Sequence, residues 1–289
     1  MICRKRIRDA NAPLVVAIET CDSNPNTANF IKSLELNDWD YEIIGSGHTW
    51  SGMYDKIILN HKYLQTADPE KLIVLSDARD VFCVRTPQYF KDVFDNFKKP
   101  LVASMEIFCQ SHPYDVDLSE SWQCVPLNKY WAYTGVNPTE IKRKYVCAGL
   151  LAGKAKHLLE FFEWVIKSKW KDDQAALGEY ANTFPERIAV DVDARLLHNS
   201  EYGVNIGLQT HKQWSDSPSI AELTGRLNYF LHIPGIEKSI GQRKIYDLVK
   251  TLIINMNISS KWIHEGYAYP PPLWNKGCDE EPRFHIKPK

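Results

Sequence analysis

Leu72-Ile73-Val74-Leu75-Ser76-Asp77-Ala78-Arg79-Asp80-Val81 is the stretch on which the reading of this chain turns. Four consecutive aliphatic residues make a continuous apolar run rather than an alternating one, as in a strand buried on both faces of a sheet. The run ends on two carboxylates, and in open α/β sheets ligands bind outside the C-terminal ends of the strands. Carboxylates are the hard oxygen donors that Mg²⁺ or Mn²⁺ takes, and two of them within one turn can hold a cation that neutralises a diphosphate. Asp77 and Asp80 serve equally well as turn and cap residues, so this segment alone leaves both readings open. A phosphatase also places its nucleophilic aspartate at the end of an apolar strand, with a second aspartate two residues later. Position 79 is Arg and the second carboxylate comes three residues on, which counts against a phosphatase.

Working outward, short apolar runs alternate with helical patterns. Leu14–Ile18, Tyr41–Ile44, Leu101–Met105 and Tyr145–Leu151 read as strands. Asn26–Leu36, Met53–Leu64, Lys154–Lys169 and the segment from the Asp172-Asp173 cap to Thr183 read as helices. Pro87–Phe97 reads as a helix beginning at its proline, Ile240–Met256 as a late helix, and Arg187–Val190 and Leu196–Leu197 as short strands. Residues 110–143 lack periodicity and read as one long irregular, functional loop. Strands separated by helices imply an α/β fold with a mostly parallel sheet flanked by helices. The expected organisation is a basic N-terminal segment over 1–12, one domain over 13–255, and an irregular aromatic, proline-rich segment over 256–289.

The composition narrows the function. With 35 Lys+Arg against 36 Asp+Glu over 289 residues, the net charge of −1 offers no basic field, so nucleic acid is not an expected partner. A hydrophobic fraction of 44% excludes wholesale disorder. Seven cysteines with no Cys-x-x-Cys pair argue against a zinc site or a dense disulfide framework, and leave mostly reduced thiols with room for one bridge. No signal-peptide or membrane-spanning segment is read, so the expected location is the cytoplasm, or the host cytoplasm for a viral chain.

Two more segments bring chemistry. In Leu231-His232-Ile233-Pro234-Gly235-Ile236-Glu237-Lys238, a neutral imidazole can complete a carboxylate cation site, Gly235 allows close backbone approach, and Lys238 can meet a phosphate. The plainer reading of a lone His is a buried structural one. Lys171-Asp172-Asp173-Gln174 stands at a helix start, where aspartates cap; the functional alternative sets a carboxylate and an amide beside sugar hydroxyls.

Together these segments resemble the GT-A glycosyltransferase domain of procollagen lysyl hydroxylases and the stand-alone collagen glucosyltransferases of giant viruses. The likeness runs over about Leu14–Leu248, through Val15–Thr20, Gly45–Trp50, Lys56, Leu75–Val81, Ser104–Cys109, Cys147–Gly153, Lys171–Gln174 and His232–Lys238. The resemblance implies the GT-A fold and glucose transfer from UDP-glucose, with retention of the α configuration, to galactosyl-hydroxylysine of a collagen-like protein or glycopeptide. It implies Mn²⁺ on Asp77, Asp80 and His232; donor contacts from Thr20, Trp50, Lys56, Asp77, Gly235 and Lys238; Asp172, Asp173 and Gln174 at the reacting sugar; and Glu106 toward the acceptor. The family's Asn-Ser-Gly-Gly turn is Cys147-Ala148-Gly149-Leu150 here, so polar contacts made by that turn do not carry over. The alternatives are galactosyl transfer to hydroxylysine, glucosylation of another glycan, or a non-catalytic nucleotide-sugar-binding module. The aromatic stretch Trp262–Trp274 can pack on its own domain or on a second copy, making a homo-oligomer a further partner, while no membrane is expected.

Overall fold

A computed structural model describes residues 4–106, 125–135, 145–192, 194–199, 229–234, 236 and 240–255. Its main sheet is built from β1 (Lys5–Arg6), β2 (Leu14–Ile18), β3 (Asp40–Ile44), β4 (Leu72–Asp77), β6 (Leu101–Glu106), β7 (Tyr145–Lys154) and β8 (Ile188–Val190). The strand order is β1-β3-β2-β4-β7-β6-β8. β3, β2, β4, β6 and β8 run one way; β1 at the edge and β7 in the middle run the other. The expected α/β fold with a mostly parallel sheet is what the structure shows. A smaller sheet joins β5 (Val81–Cys83), β9 (Leu197–Asn199) and β10 (Phe230–His232), with β10 in the centre.

The apolar runs need two covering layers, and the strand period of two divides them cleanly. Leu14, Val16, Ile73, Leu75, Leu101 and Ala103 point to one face. There they meet α2 (Met53–Leu64), α5 (Ala155–Lys167) and α6 (Asp173–Thr183), which contribute Ile57, Phe161, Phe162, Val165 and Tyr180. Val15, Ala17, Leu72, Val74 and Val102 point to the other face, against α1 (Pro25–Leu36), α3 (Phe90–Asp95) and the buried Trp39. A third cluster seats α7 (Ile240–Lys250) on the small sheet through Phe82, Leu231, Ile233, Tyr246 and Val249.

Local hydrogen bonding explains the starts of α1 and α6. Asn24 caps α1, its side chain accepting from Asn26 N at 2.9 Å, with Pro25 as the first helical residue. Asp172 caps α6 by accepting from Ala175 N at 2.6 Å. Three expectations are corrected. α3 starts at Phe90, not Pro87, because Tyr89 takes a left-handed φ of 63° that breaks the run. Within 110–143, residues Asn128–Thr134 form a helix, α4, whose Tyr130 and Trp131 bury into the core. The late helix is α-helical only to Lys250 and continues as a π-helical turn over Thr251–Asn255. The basic start is partly sheet, Lys5 and Arg6 lying opposite Glu42 and Tyr41. Residues 256–289 lie outside the described part.

Candidate active site

The C-terminal ends of β2, β4 and β6 reach the same edge of the sheet, where the antiparallel β7 begins. A cavity of about 540 Å³ opens there, lined among others by Thr20, Trp50, Lys56, Asp77, Asp80, Glu106, Asp172, Asp173, Gln174 and His232. These ten positions, singled out in the sequence, share one cleft. Gly235 and Lys238 lie outside the described residues.

The small sheet is what brings His232 to the two aspartates. β10 pairs with β5 so that His232 faces Val81, and Ile233 N donates to Asp80 O at 2.8 Å. Ligand atoms of Asp77, Asp80 and His232 lie within 4.8 Å of one another. His232 Nε2 is 3.3 Å from Asp80 Oδ1 and 3.7 Å from Asp77 Oδ2, yet off the line of a hydrogen bond. The ring is 3% exposed, so this buried nitrogen faces two carboxylates without a hydrogen-bond partner. An orphaned buried nitrogen is costly unless something else takes its lone pair, and two carboxylates with one imidazole suit a divalent cation. The residues fit a metal such as Mn²⁺. Burial lowers the affinity of His232 for a proton, but the charges of Asp80 and then Asp77 outweigh it and raise its pKa.

Backbone room at the centre comes from β7. Its pairing with β6 slips between Ala103 opposite Leu151 and Ser104 opposite Cys147, so Ala148, Gly149 and Leu150 bulge from that ladder. A Cβ at Gly149 would stand 2.7 Å from His232 Nδ1 and 2.8 Å from Asp77 Oδ2. The cradle between imidazole and carboxylate exists because position 149 carries no side chain.

Lys56, from α2, links this cluster to α6. Its ammonium is 2.7 Å from Asp77 Oδ1 and 2.9 Å from Asp173 Oδ2, and donates to Ala148 O at 3.3 Å. Burial works against its charge, but Asp173 and Asp77 hold the pKa above the ordinary lysine value. For Asp77, burial is outweighed by Lys56 and His232, leaving the pKa below its ordinary value. Asp173 is pushed up to about 6 by burial, with Lys56 pulling the other way and Asp172 adding to the rise. Across the cleft, the buried Glu106 accepts from Gln174 Nε2 and, at 3.2 Å, from Asn199 Nδ2. Gln174 Oε1 in turn accepts from Ala148 N at 3.4 Å.

No protein-family model matches this chain, and no curated protein matches it by sequence. Among solved structures it is similar to a glycosyltransferase involved in the glycosylation of the major capsid of PBCV-1, with 12% identity over 83% of this chain and 99% of that one, at a TM-score of 0.48. It is also similar to the apo-form glycosyltransferase GlyE of Streptococcus pneumoniae TIGR4, with 14% identity over 91% of this chain and 66% of that one, at a TM-score of 0.45. A third is 4-diphosphocytidyl-2C-methyl-D-erythritol synthase of Anaerococcus prevotii, with 11% identity over 63% of this chain and 89% of that one, at a TM-score of 0.35. At TM-scores below one half, the functional reading rests on the residues of the site.

The structure adds two residues that the sequence reading passed over. Glu19, buried at the end of β2, accepts from Arg79 Nε and Nη2, each at 2.9 Å, from Thr27 Oγ1 at 2.7 Å and from Cys21 N at 2.8 Å. Arg79 thus ties the turn between Asp77 and Asp80 to the neighbouring strand. The signal was available as opposite charges at the ends of two apolar strands. Burial raises the Glu19 pKa, but the hydrogen bonds from Arg79 and Thr27 outweigh it and hold the carboxyl below its ordinary value. Its contribution is therefore full above the unfolded-state pKa of about 4.3 and is lost as pH falls through the lower folded value. Glu19→Gln is expected to cost about 2 kcal/mol at pH 7, less than for a fully enclosed pair because Arg79 is partly exposed. In denaturant titrations the gap to wild type should narrow progressively below about pH 4.3; a gap independent of pH would mean that the charge of Glu19 contributes nothing.

Proposed function

We propose that the chain is a metal-dependent retaining glycosyltransferase of GT-A type that moves glucose from UDP-glucose to the 2-hydroxyl of galactosyl-hydroxylysine in collagen-like protein. The observation that carries the metal-dependent reading is the buried, unpartnered Nε2 of His232 facing Asp77 and Asp80 at the mouth of β4. The sequence resemblance supplies donor and acceptor. Asp77, Asp80 and His232 would hold Mn²⁺, which when bound supplies the positive charge that neutralises a departing diphosphate.

The remaining residues would prepare the transfer. Lys56, kept charged by two carboxylates, would lie beside the donor and hold Asp173 in place. Trp50, 43% exposed at the rim, would stack on the uridine, with Thr20 beside it. Gln174 would stand with Asp172 and Asp173 at the reacting sugar, and Glu106, which accepts from it, toward the acceptor. Of the carboxylates that line the cavity, Glu19 pairs with Arg79, Asp77 and Asp173 with Lys56, Glu106 with Gln174 and Asp172 with Ala175 N, while Asp80 belongs to the proposed cation cluster. This supports a front-side displacement without a covalent sugar adduct. The bond from the anomeric carbon to the diphosphate oxygen breaks as the bond to the acceptor oxygen forms on the same face. The acceptor's proton passes to the leaving diphosphate. A glucosyl adduct on Asp172 or Asp173 found by mass spectrometry would overturn that route.

The deciding assay is UDP release with Mn²⁺ from UDP-glucose and from UDP-galactose, each with and without a collagen peptide bearing galactosyl-hydroxylysine. Acceptor-stimulated release from UDP-glucose alone is expected. Turnover of UDP-galactose on bare hydroxylysine would replace the proposed reaction by the preceding step of the same modification. No release with any pair would favour a binding module.

A further inference from the structure

We infer that Cys147 is a positioning residue for the metal-binding imidazole, orienting His232 through its sulfur; the inference rests on the reading of Asp77, Asp80 and His232 as the cation site. Cys147 Sγ lies 3.3 Å from His232 Nδ1, the nitrogen that points away from the carboxylates. Both side chains are buried, Cys147 at 2% and His232 at 3% exposure. The sulfur is not itself among the converging donors: within the described residues the cluster comprises Asp77, Asp80 and His232, and both carboxylates approach Nε2. Ligation through Nε2 leaves the ring proton on Nδ1, and a partner for that N–H fixes both tautomer and ring rotation.

Cys147 is well placed for this task. It opens the β7 bulge, and its own carbonyl accepts from Ser104 Oγ at 3.1 Å, so the backbone that carries the sulfur is anchored in the sheet. Two residues on, Gly149 offers the ring no side chain to lean on. A thiol both donates and accepts, so it can answer Nδ1 whichever ring nitrogen carries the proton.

The test uses the full chain and Mn²⁺ alone, without donor or acceptor, with free Mn²⁺ followed by electron paramagnetic resonance. Wild type, Cys147→Ala, Cys147→Val, Cys147→Ser and Asp80→Asn are compared, with thermal unfolding of each metal-free protein alongside. Loss of a histidine's outer partner typically weakens metal binding about 10–100-fold. Cys147→Ala and Cys147→Val are expected to fall in that range, while Cys147→Ser, which keeps a donor and acceptor, stays within about threefold of wild type. Val fills the space that Ala leaves open, so a packing defect in Ala alone does not decide the outcome. Apolar variants that bind Mn²⁺ as tightly as wild type, or a serine variant as weak as valine, would overturn the role of Cys147 while Asp80→Asn still reports the cation site. A wild-type chain that does not bind Mn²⁺, or an Asp80→Asn chain that binds it equally well, would overturn the site and this inference together.

Discussion

Asp80→Asn is expected to lower Mn²⁺-dependent UDP release about a thousandfold while leaving the fold intact, since a metal's charge stabilisation is worth several kcal/mol and each 1.36 kcal/mol is about tenfold in rate. Asn keeps the shape of the side chain and removes only its charge. What ties Asp80 into the small sheet is its backbone carbonyl, which accepts from Ile233 N at 2.8 Å and is untouched by the change. Its carboxylate faces His232 Nε2 at 3.3 Å, so the loss falls on the cluster. Asp77→Asn makes the useful contrast. It removes a ligand and also releases Lys56, whose ammonium keeps Asp173 but loses its 2.7 Å partner. Both variants should be inactive, but only Asp77→Asn should also unfold at lower temperature. The rates are read at saturating UDP-glucose over a Mn²⁺ series. Wild-type turnover by Asp80→Asn at low Mn²⁺ would remove Asp80 from the cation site.

That contrast marks where the sequence was informative. The apolar run Leu72–Leu75 and its terminal carboxylates were legible because a strand buried on both faces has no polar face to break the pattern. The start of α6 was legible because an aspartate cap is a local hydrogen-bond device. Partner and direction were not. Nothing in the periodicity of Tyr145–Lys154 shows that it runs antiparallel between β4 and β6, and that placement is what sets Gly149 under His232. His232 read by its own segment is structural; the resemblance joins it to Asp77 and Asp80, and the β10–β5 ladder is the physical device that carries it there. α4 was lost because seven residues rich in aromatics present too little period to stand out from an irregular stretch. α3 was misjudged because a proline invites a helix start, whereas the left-handed Tyr89 delays it.

Gly149→Ala tests the part of the site that only the tertiary structure reveals. One methyl group is added, yet it would stand 2.7 Å from His232 Nδ1 and 2.8 Å from Asp77 Oδ2, and closer still to the ring carbon between the two nitrogens. Neither neighbour can step aside freely. His232 is buried and touches Cys147, and Asp77 is held by Lys56. Overpacking of this kind costs about 1–3 kcal/mol, and here the strain is released by moving two of the three cation ligands apart. The variant is expected to bind Mn²⁺ at least about tenfold more weakly and to lose UDP-releasing activity in proportion, as misplaced ligands do. Gly153→Ala is the control, four residues further along the same strand. Its Cβ would meet Leu101 Cδ2 at 2.6 Å and Pro100 O at 3.0 Å, away from the cleft, so stability should fall with Mn²⁺ affinity unchanged. Calorimetric unfolding and Mn²⁺ titration of the two variants separate the cases: equal loss of stability with unequal loss of metal binding places the cradle at Gly149. Wild-type Mn²⁺ affinity in Gly149→Ala would mean that the imidazole and the carboxylate need not approach as closely as they do here to share a cation.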